Sequence, residues 1–320
     1  MKRLFGLIAT AIFVLSAAGV ASAQSHQFSK PTIEITVLFP AGSSADITAR
    51  LLADGMSKHL GTKVIVVNRP GGGGAIGYRY VAAQKADGTS LVWNSNSIST
   101  TFHSGMLPFD YKAFEPVAQA LTESPVLAVK QDAKWQSLKE LMDDGKSRPK
   151  GITVGNSGVG SHTHISAVAL FRPAGLDVID VPFAAAQVVP SLLGGQVDTV
   201  VQLPAALAQH LRSGQVRFLA AMVASRDAAF PDVPTAREQG FDVTLEAWRG
   251  IAVPKGTPHN TIAALEAAIR KTVASKEFIQ GCARLGARPA FLSANQFGAL
   301  IAKEDAYLAN LMGMIGLKKI

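Results

Sequence analysis

The amino-acid sequence predicts an α/β protein with two domains and mainly parallel sheets. Strand-like runs rich in β-branched residues alternate with helix-like runs along most of the 320-residue chain, and such alternation is typical of βαβ units. The chain is long enough to bury two cores. From Pro258 onward the pattern is almost entirely helical, which indicates a tail that returns to pack on the first domain.

The predicted elements follow from periodicity and from helix start and stop signals. The strand-like runs are residues 33–39, 63–67, 90–94, 126–129, 152–155, 178–182, 199–202 and 217–222. The helix-like runs are residues 45–60, 76–85, 138–145, 163–174, 188–194, 205–213, 261–275, 276–285 and 294–314. The first helix has apolar residues at three- to four-residue spacing, Ser43 or Ser44 to cap it, and Gly61 to end it.

The N-terminus has the pattern of a secretory signal peptide. Lys2 and Arg3 precede an uncharged apolar run, residues 4–18, and an Ala21-Ser22-Ala23 site follows. That run is too short for a typical membrane span of about 20 residues. We expect cleavage after Ala23 and a periplasmic protein that starts at Gln24. The single cysteine, Cys282, allows no internal disulfide.

The positive charge of the chain does not indicate nucleic-acid binding. The net charge is +8 at pH 7, and removing Lys2 and Arg3 lowers it to +6. The basic residues are scattered and are not interleaved with aromatic residues, so a nucleic-acid surface is not expected. Attraction of small anions is compatible with this charge.

A glycine-rich stretch raises the possibility of dinucleotide binding. Gly72, Gly74 and Gly77 spell G-x-G-x-x-G after a strand-like run. The fingerprint also needs an acidic residue about 20 positions further on, and Asp87 is only 10 residues past Gly77. We therefore predict no NAD and no other cofactor, and a structural role for this loop with Arg69 as its brace.

Three polar junctions between a strand and a helix could bind a carboxylate. They are residues 39–46, 95–100 and 155–164, all rich in small or hydroxyl side chains. Such loops bring backbone N–H groups together, and the following helix N-terminus favours an anion. Glycine and serine also simply make turns and caps. Three such junctions at the carboxyl ends of strands favour a binding cleft.

Motifs over nearly all of the chain resemble the substrate-binding proteins of tripartite tricarboxylate transporters, the Bug family. The motifs are Phe39-Pro40-Ala41-Gly42 with Asp46, Ala49-Arg50-Leu51-Leu52-Ala53, residues 68–77 (NRPGGGGAIG), residues 87–91 (DGTSL), residues 107–110 (LPFD), residues 114–117 (FEPV), residues 155–161 (GNSGVGS) with His164, residues 193–198 (LGGQVD), residues 230–235 (FPDVPT) and residues 248–254 (WRGIAVP) with Gly256-Thr257-Pro258. Each motif is weak alone, and their shared order makes the resemblance specific.

The resemblance implies a two-lobed periplasmic binding protein fold of type II-like form, with a ligand cleft between lobes that close on the ligand. It implies domain 1 from residues 24–121 plus 248–320, domain 2 from residues 122–247, and crossover segments near residues 119–125 and 243–248. It implies capture of a small carboxylate through backbone amides, hydroxyls and water, and delivery to the integral membrane components of a tripartite tricarboxylate transporter. We expect a monomer. A sensor that presents its ligand to a membrane histidine kinase is the alternative.

Two departures from the family pattern shape the expected ligand. Gly42-Ser43-Ser44 adds two hydroxyls to the first loop, and Phe183-Ala184-Ala185 lacks the family's tyrosine and lysine. A monocarboxylate or dicarboxylate, including an aromatic one, therefore fits better than citrate, with aromatic side chains either lining the pocket or in the core. The predicted site residues are Phe39, Ala41, Gly42, Ser43, Ser44, Asp46, Ser95, Asn96, Ser97, Asn156, Ser157, Gly158, Val159, Gly160, Ser161, His164, Phe183, Ala184, Asp198 and Trp248.

Catalytic and metal chemistry is not expected. His162 and His164 lie two residues apart, on different faces of a helix, with no third ligand evident. The stretch from Gly155 to Gly158 is not a G-x-S-x-G nucleophile elbow. A secreted hydrolase is the remaining enzyme class, and it would need a serine and a histidine within hydrogen-bond reach in the cleft.

Overall fold

The computed structural model of the chain describes residues 32–317. The predicted signal peptide, residues 1–23, lies outside the described residues. Within them, none of the helices combines the length and the apolar character that crossing a bilayer requires.

The described chain forms two lobes, each built on one mixed sheet. The strands of the first lobe are β1 (Thr32–Val37), β2 (Lys63–Asn68), β3 (Ser90–Ser95), β4 (Phe114–Glu123), β10 (Ala247–Pro254) and β11 (Ala287–Leu292), in the order β11-β4-β10-β3-β1-β2. The strands of the second lobe are β5 (Val126–Lys130), β6 (Thr153–Asn156), β7 (Ile179–Pro182), β8 (Thr199–Gln202) and β9 (Val216–Ala221), in the order β7-β6-β8-β5-β9.

Helices cover the sheets and connect the strands. They are α1 (Ser44–Leu60), α2 (Ala75–Ala82), α3 (Ser97–His103), α4 (Leu138–Ser147), α5 (His162–Phe171), α6 (Val188–Leu193), α7 (Pro204–Arg212), α8 (His259–Val273), α9 (Lys276–Leu285) and α10 (Ala294–Met314). Helix α1 begins and ends as predicted. The Ser43 hydroxyl accepts a hydrogen bond from the Asp46 amide at 3.3 Å, and Gly61 closes the helix at φ 62°.

The prediction of mainly parallel sheets is wrong, although the two-lobed α/β fold is confirmed. Strand β1 is parallel to β2 and β3, but β10 is antiparallel to β3 and β4, and β5 is antiparallel to β8 and β9. The cause is the crossing between lobes. Strand β4 carries the chain out of the first lobe and β10 brings it back alongside, with Glu123 opposite Ala247.

The chain changes sheets between Glu123 and Val126 and again between Ala221 and Ala247. The predicted domain boundaries at 121/122 and 247/248 stay a prediction. Helix α10 spans both lobes. Phe297 and Ile301 are buried in the first lobe, whereas Leu308 joins the core of the second. The predicted helical tail therefore packs on both lobes, and it is interrupted by β11.

Candidate functional site

A cavity between the lobes collects eight of the predicted site residues. Those from the first lobe are Phe39, Ser43, Ser44, Ser95, Asn96 and Ser97, and those from the second lobe are Ser157 and Ser161. They come from the three strand–helix junctions, because β1, β3 and β6 all end at the cleft. The sequence pattern therefore brings these three junctions together in space.

The N-terminus of α1 forms one wall of the cavity. The amide hydrogens of Ser44 and Ala45 make no hydrogen bond to any described residue, because they precede the first intrahelical bond, from Ile47 to the Ser43 carbonyl. Both residues line the cavity. Their amides and the helix dipole together favour an anionic group at this point.

The N-terminus of α5 forms the facing wall with the same arrangement. The Ser161 hydroxyl caps the helix by accepting from the His164 amide at 3.2 Å. The amides of His162 and Thr163 have no hydrogen-bond partner in the described part of the chain, and both residues line the cavity. Two helix N-termini, one from each lobe, thus point their positive ends at one cavity.

A buried ion pair, absent from the sequence-based site, forms the floor. Arg249 is 4% exposed and its Nε donates to Glu123 Oε2 at 3.1 Å, while Glu123 is fully buried. The terminal guanidinium nitrogens of Arg249 bond to no described residue and are not enclosed, so they are free to meet a ligand. One signal was visible in the sequence: Arg249 is a lone charge within an apolar strand, and such a charge needs a buried partner.

The same ion pair changes the expected role of Ser44. Its hydroxyl donates to the Glu123 carboxylate, with oxygen–oxygen distances of 2.6 and 2.7 Å. The single hydroxyl hydrogen is therefore already used, and the only donor that Ser44 can offer a ligand carboxylate is its backbone amide. The hydroxyls of Ser43 and Ser157 accept hydrogen bonds from the Asp46 amide and from Gln202 Nε2, which leaves their own hydrogens available.

His162 is another cavity residue that is absent from the predicted site. Its side chain is 6% exposed, and its Nε2 has no hydrogen-bond partner among the described residues. Burial, together with the positive charge of Arg249, lowers the pKa of His162 to about 3. The imidazole is therefore neutral at physiological pH.

Three predicted site residues brace the loops. Asp46 accepts from the Gly42 amide at 3.0 Å and from Arg50 at 2.8 Å. Burial alone would raise the pKa of Asp46, but these hydrogen bonds lower it overall. Asn156 accepts from the Gly158 amide at 3.0 Å, and His164 Nδ1 accepts from the Gly160 amide at 3.2 Å. These side chains hold the conformation of the loops that carry the cavity residues.

Other predicted residues lie away from the cavity. Asp198 accepts from the amide and hydroxyl of Thr153 at 2.8 and 2.7 Å, at the start of β6, the strand end opposite the cleft. Trp248 is 2% exposed, stacks edge-to-face on Phe297 at 5.0 Å and donates to Glu304, so it belongs to the core. The remaining backbone positions line neither this cavity nor the groove beside it: Ala41, Gly42, Val159 and Gly160.

A groove beside the cavity is lined by Phe39, by Gly158, Phe183 and Ala184 from the second lobe, and by the glycine loop, residues 71–74. A Cβ atom on Gly73 would lie 3.1 Å from the Val159 carbonyl oxygen, so this loop touches the opposite lobe. Arg69 pairs with Glu34 at 2.8 Å and lies over the Tyr80 ring at 3.6 Å, as expected of a brace.

The serine–histidine contact in this region does not resemble a hydrolytic pair. Ser166 Oγ lies 3.5 Å from His162 Nδ1, but its hydrogen goes to the His162 carbonyl at 2.8 Å. Ser166 is fully buried and does not line the cavity.

Within residues 32–317, no group of three or more histidine, cysteine or acidic side chains is placed to hold a metal ion.

Comparison with known proteins points to one family. The family model for the tripartite tricarboxylate transporter family receptor, TctC, matches residues 48–317. The protein BugT of Bordetella pertussis is 31% identical over 324 residues, covering 99% of this chain and 99% of that protein.

Solved structures agree. The periplasmic binding protein BugD superposes with a TM-score of 0.86 at 27% identity, over 90% of this chain and 99% of that one. MatC from Rhodopseudomonas palustris, solved with bound malate, superposes with a TM-score of 0.80 at 27% identity, over 88% of this chain and 98% of that one.

Proposed function

Because the chain belongs to the tripartite tricarboxylate transporter receptor family, we propose that it binds a small carboxylate in the cleft and delivers it to the membrane components of such a transporter. The family match confirms the resemblance carried by the sequence motifs. The observation that carries the ligand class is the convergence of two helix N-termini and the free edge of Arg249 on one cavity.

This donor set suits a carboxylate for electrostatic reasons. Unpaired amides at a helix N-terminus bind anions, and a guanidinium adds a charge-assisted hydrogen bond. The charge of Glu123 offsets that of Arg249, so the site is less positive than a free arginine would make it. A monocarboxylate or a dicarboxylate spanning the two helix N-termini fits this balance. The malate bound to the similar MatC supports the same class.

The proposed contacts divide between the lobes. The amides of Ser44 and Ala45 and the hydroxyl of Ser43 bind from the first lobe, and the amides of His162 and Thr163 bind from the second. The groove next to the cavity, with Phe39 and Phe183, leaves space for an apolar or aromatic substituent. Asp46, Asn156 and His164 act by holding the loops.

Calorimetric titration of the purified exported protein tests this function. The panel is acetate, succinate, malate, benzoate, terephthalate and citrate, with NAD as a control. We expect a carboxylate to bind at roughly micromolar concentration, about 8 kcal/mol, and NAD not to bind. At about 100 times its dissociation constant that ligand adds about 2.7 kcal/mol to the free energy of unfolding. Binding of NAD alone, or of nothing in the panel, contradicts the proposal.

Delivery and location have their own tests. We propose that the protein acts in the periplasm after cleavage behind Ala23, so the N-terminal sequence of the exported form should begin at Gln24.

Deleting the gene should abolish uptake of the labelled ligand, and the wild-type chain should restore it. Undiminished uptake with loss of a ligand-induced transcriptional response would instead favour the sensor function.

A further inference from the structure

His162, which lines the cavity, has a buried ring nitrogen whose hydrogen-bonding capacity is unused. Its side chain is more than nine-tenths buried, and no described residue bonds its Nε2 atom. Buried polar atoms are nearly always paired with protein, water or a ligand, so Nε2 can bond a molecule that enters the cavity. The question is whether that molecule must donate or accept a hydrogen.

The contact with Ser166 favours one tautomer of the ring. Ser166 uses its one hydroxyl hydrogen on the His162 carbonyl, at 2.8 Å. Its oxygen, 3.5 Å from Nδ1, can therefore only accept from that ring nitrogen. Because the ring is neutral, this contact favours the tautomer with the hydrogen on Nδ1, which leaves a lone pair on Nε2. A ligand group that bonds Nε2 in this tautomer must be a donor.

The charges around the cavity decide which donor fits. Arg249 from β10 and the amides at the N-termini of α1 and α5 all present positive charge or partial positive charge to the cavity. No aspartate or glutamate of the described residues lines the cavity, and the carboxylate that pairs with Arg249, Glu123, is already bonded by Ser44 and Arg249. An ammonium group would be repelled without a free counter-ion, whereas a hydroxyl donates without adding charge.

We propose that the physiological ligand is a hydroxycarboxylate, and that His162 selects it by accepting a hydrogen bond from the ligand hydroxyl. This inference rests on the proposed function, since the carboxylate holds the ligand in the cleft. It narrows the substrate class from carboxylates in general to those with a hydroxyl near the carboxylate.

Matched triplets of ligands test the proposal by calorimetry on the purified exported protein. Each triplet holds the skeleton fixed and changes one substituent between hydroxyl, hydrogen and ammonium. The triplets are lactate, propionate and alanine; malate, succinate and aspartate; 3-hydroxybutyrate, butyrate and 3-aminobutyrate; and mandelate, phenylacetate and phenylglycine. In the tightest-binding triplet we expect the hydroxy member to bind at least tenfold more tightly than both others.

Two outcomes of the ligand panel distinguish a failure of this proposal from a failure of the proposed receptor function. If carboxylates bind but the unsubstituted or amino member binds as well as the hydroxy member, the hydroxyl selection is wrong and the receptor function stands. If no member of any triplet binds, both proposals are overturned.

Variants assign the selection to His162. His162→Phe keeps a ring of similar size but removes the acceptor, so the ratio between hydroxy and unsubstituted ligands should fall to below about twofold. His162→Gln supplies an amide oxygen close to the place of Nε2 and should retain a preference of at least threefold. His259→Phe changes an exposed histidine at the start of α8 and should leave the tenfold ratio intact.

An unchanged ratio in His162→Phe would overturn the assignment to His162. Circular dichroism and thermal unfolding without ligand establish that each variant is folded. If His162→Phe does not fold, the glutamine variant decides, because complete loss of the preference in a folded variant that still supplies an acceptor oxygen would contradict the acceptor role.

Discussion

At the scale of single residues, the ion pair between Arg249 and Glu123 combines a structural and a binding role. Removing one partner of a buried pair leaves an uncompensated charge and costs about 3–5 kcal/mol, whereas replacing both costs far less. We therefore expect Arg249→Met to destabilise the protein by about that amount and Glu123→Gln with Arg249→Met to recover most of it. Urea unfolding measures both.

Although most of its stability is restored, the double variant should bind carboxylates at least tenfold more weakly than the wild-type protein. The reason is that the terminal guanidinium nitrogens of Arg249 are absent. Arg237→Met provides the control, since Arg237 forms an exposed pair with Asp242 and should change neither property measurably. Wild-type affinity in the folded double variant would remove Arg249 from the binding site.

Glu304 provides a prediction about pH. Burial raises the pKa of Glu304, and the hydrogen bonds from Trp248 and Asn96 only partly oppose that shift. The folded protein therefore holds this proton more tightly than the unfolded chain, and the free energy of unfolding falls as the pH rises through the pKa of the folded state. Glu304→Gln keeps an acceptor oxygen and should raise the melting temperature at pH 8 but not at pH 4. An equal change at both pH values would contradict this.

The reactivity of the Cys282 thiol tests how well the first lobe is packed. Burial, followed by the negative charge of Glu123, raises the pKa of this thiol to about 12. Because the thiolate is the reactive form, the single cysteine should not react with a disulfide reagent at pH 8 while the protein is folded. Addition of urea should release one equivalent, and rapid labelling of the native protein would show that the first lobe is less well packed than described.

At the scale of elements, the glycine loop, residues 71–74, lies where the first lobe contacts the second. Gly73 has φ 64°, and a Cβ atom there would also lie 3.2 Å from Thr101 Cγ2. Gly73→Ala should cost about 1 kcal/mol from backbone strain and should weaken ligand binding severalfold by holding the lobes apart. Gly61→Ala is the matched control, since its φ is 62° and nothing lies within 4 Å of its Cβ position.

Equal ligand affinity in the two glycine variants, measured by calorimetry, would show that the contact between Gly73 and Val159 plays no part in closure. The sequence identified this loop by its spacing but could not show that it touches the other lobe. Periodicity describes one segment at a time, and a contact between lobes depends on how two segments meet.

Because sequence patterns describe one segment at a time, they predicted some elements and missed others. Helix α1, with its serine cap and terminal glycine, follows from local rules. Strands β4, β10 and β11 were missed because they contain proline or isolated charges, such as Pro116, Arg249 and Pro289, which break the apolar pattern. Helix α3 was assigned to a loop because its sequence, SISTTFH, is rich in residues that favour caps and turns.

The site residues were likewise predicted where the signal is local and missed where it depends on contacts between distant segments. Small and hydroxyl residues after β1, β3 and β6 identified the junctions, because turn chemistry is local. Arg249, Glu123 and His162 were missed, because their importance arises from pairing across 126 residues of sequence and from facing one another between lobes. The Ser44 hydroxyl was assigned to the ligand for the same reason, since its acceptor is 79 residues away.

At the scale of the whole molecule, helix α10 ties the lobes together. Leu308 is 1% exposed in the core of the second lobe, while Phe297, on the same helix, is fully buried in the first. Leu308→Ala should cost about 2–5 kcal/mol and should broaden the distribution of lobe separations seen by small-angle scattering. Met314→Ala, at a 71% exposed position on the same helix, is the control. An unbroadened distribution in a destabilised Leu308→Ala protein would show that α10 does not couple the lobes.

We propose that a ligand carboxylate lies between the N-termini of α1 and α5. A crystal structure with the tightest-binding carboxylate of the panel tests it most directly. We expect carboxylate oxygens within hydrogen-bond distance of the amides of Ser44 and Ala45 or of His162 and Thr163, and within reach of Arg249. A ligand bound outside this cavity, or one whose carboxylate points away from both helix N-termini, would contradict it.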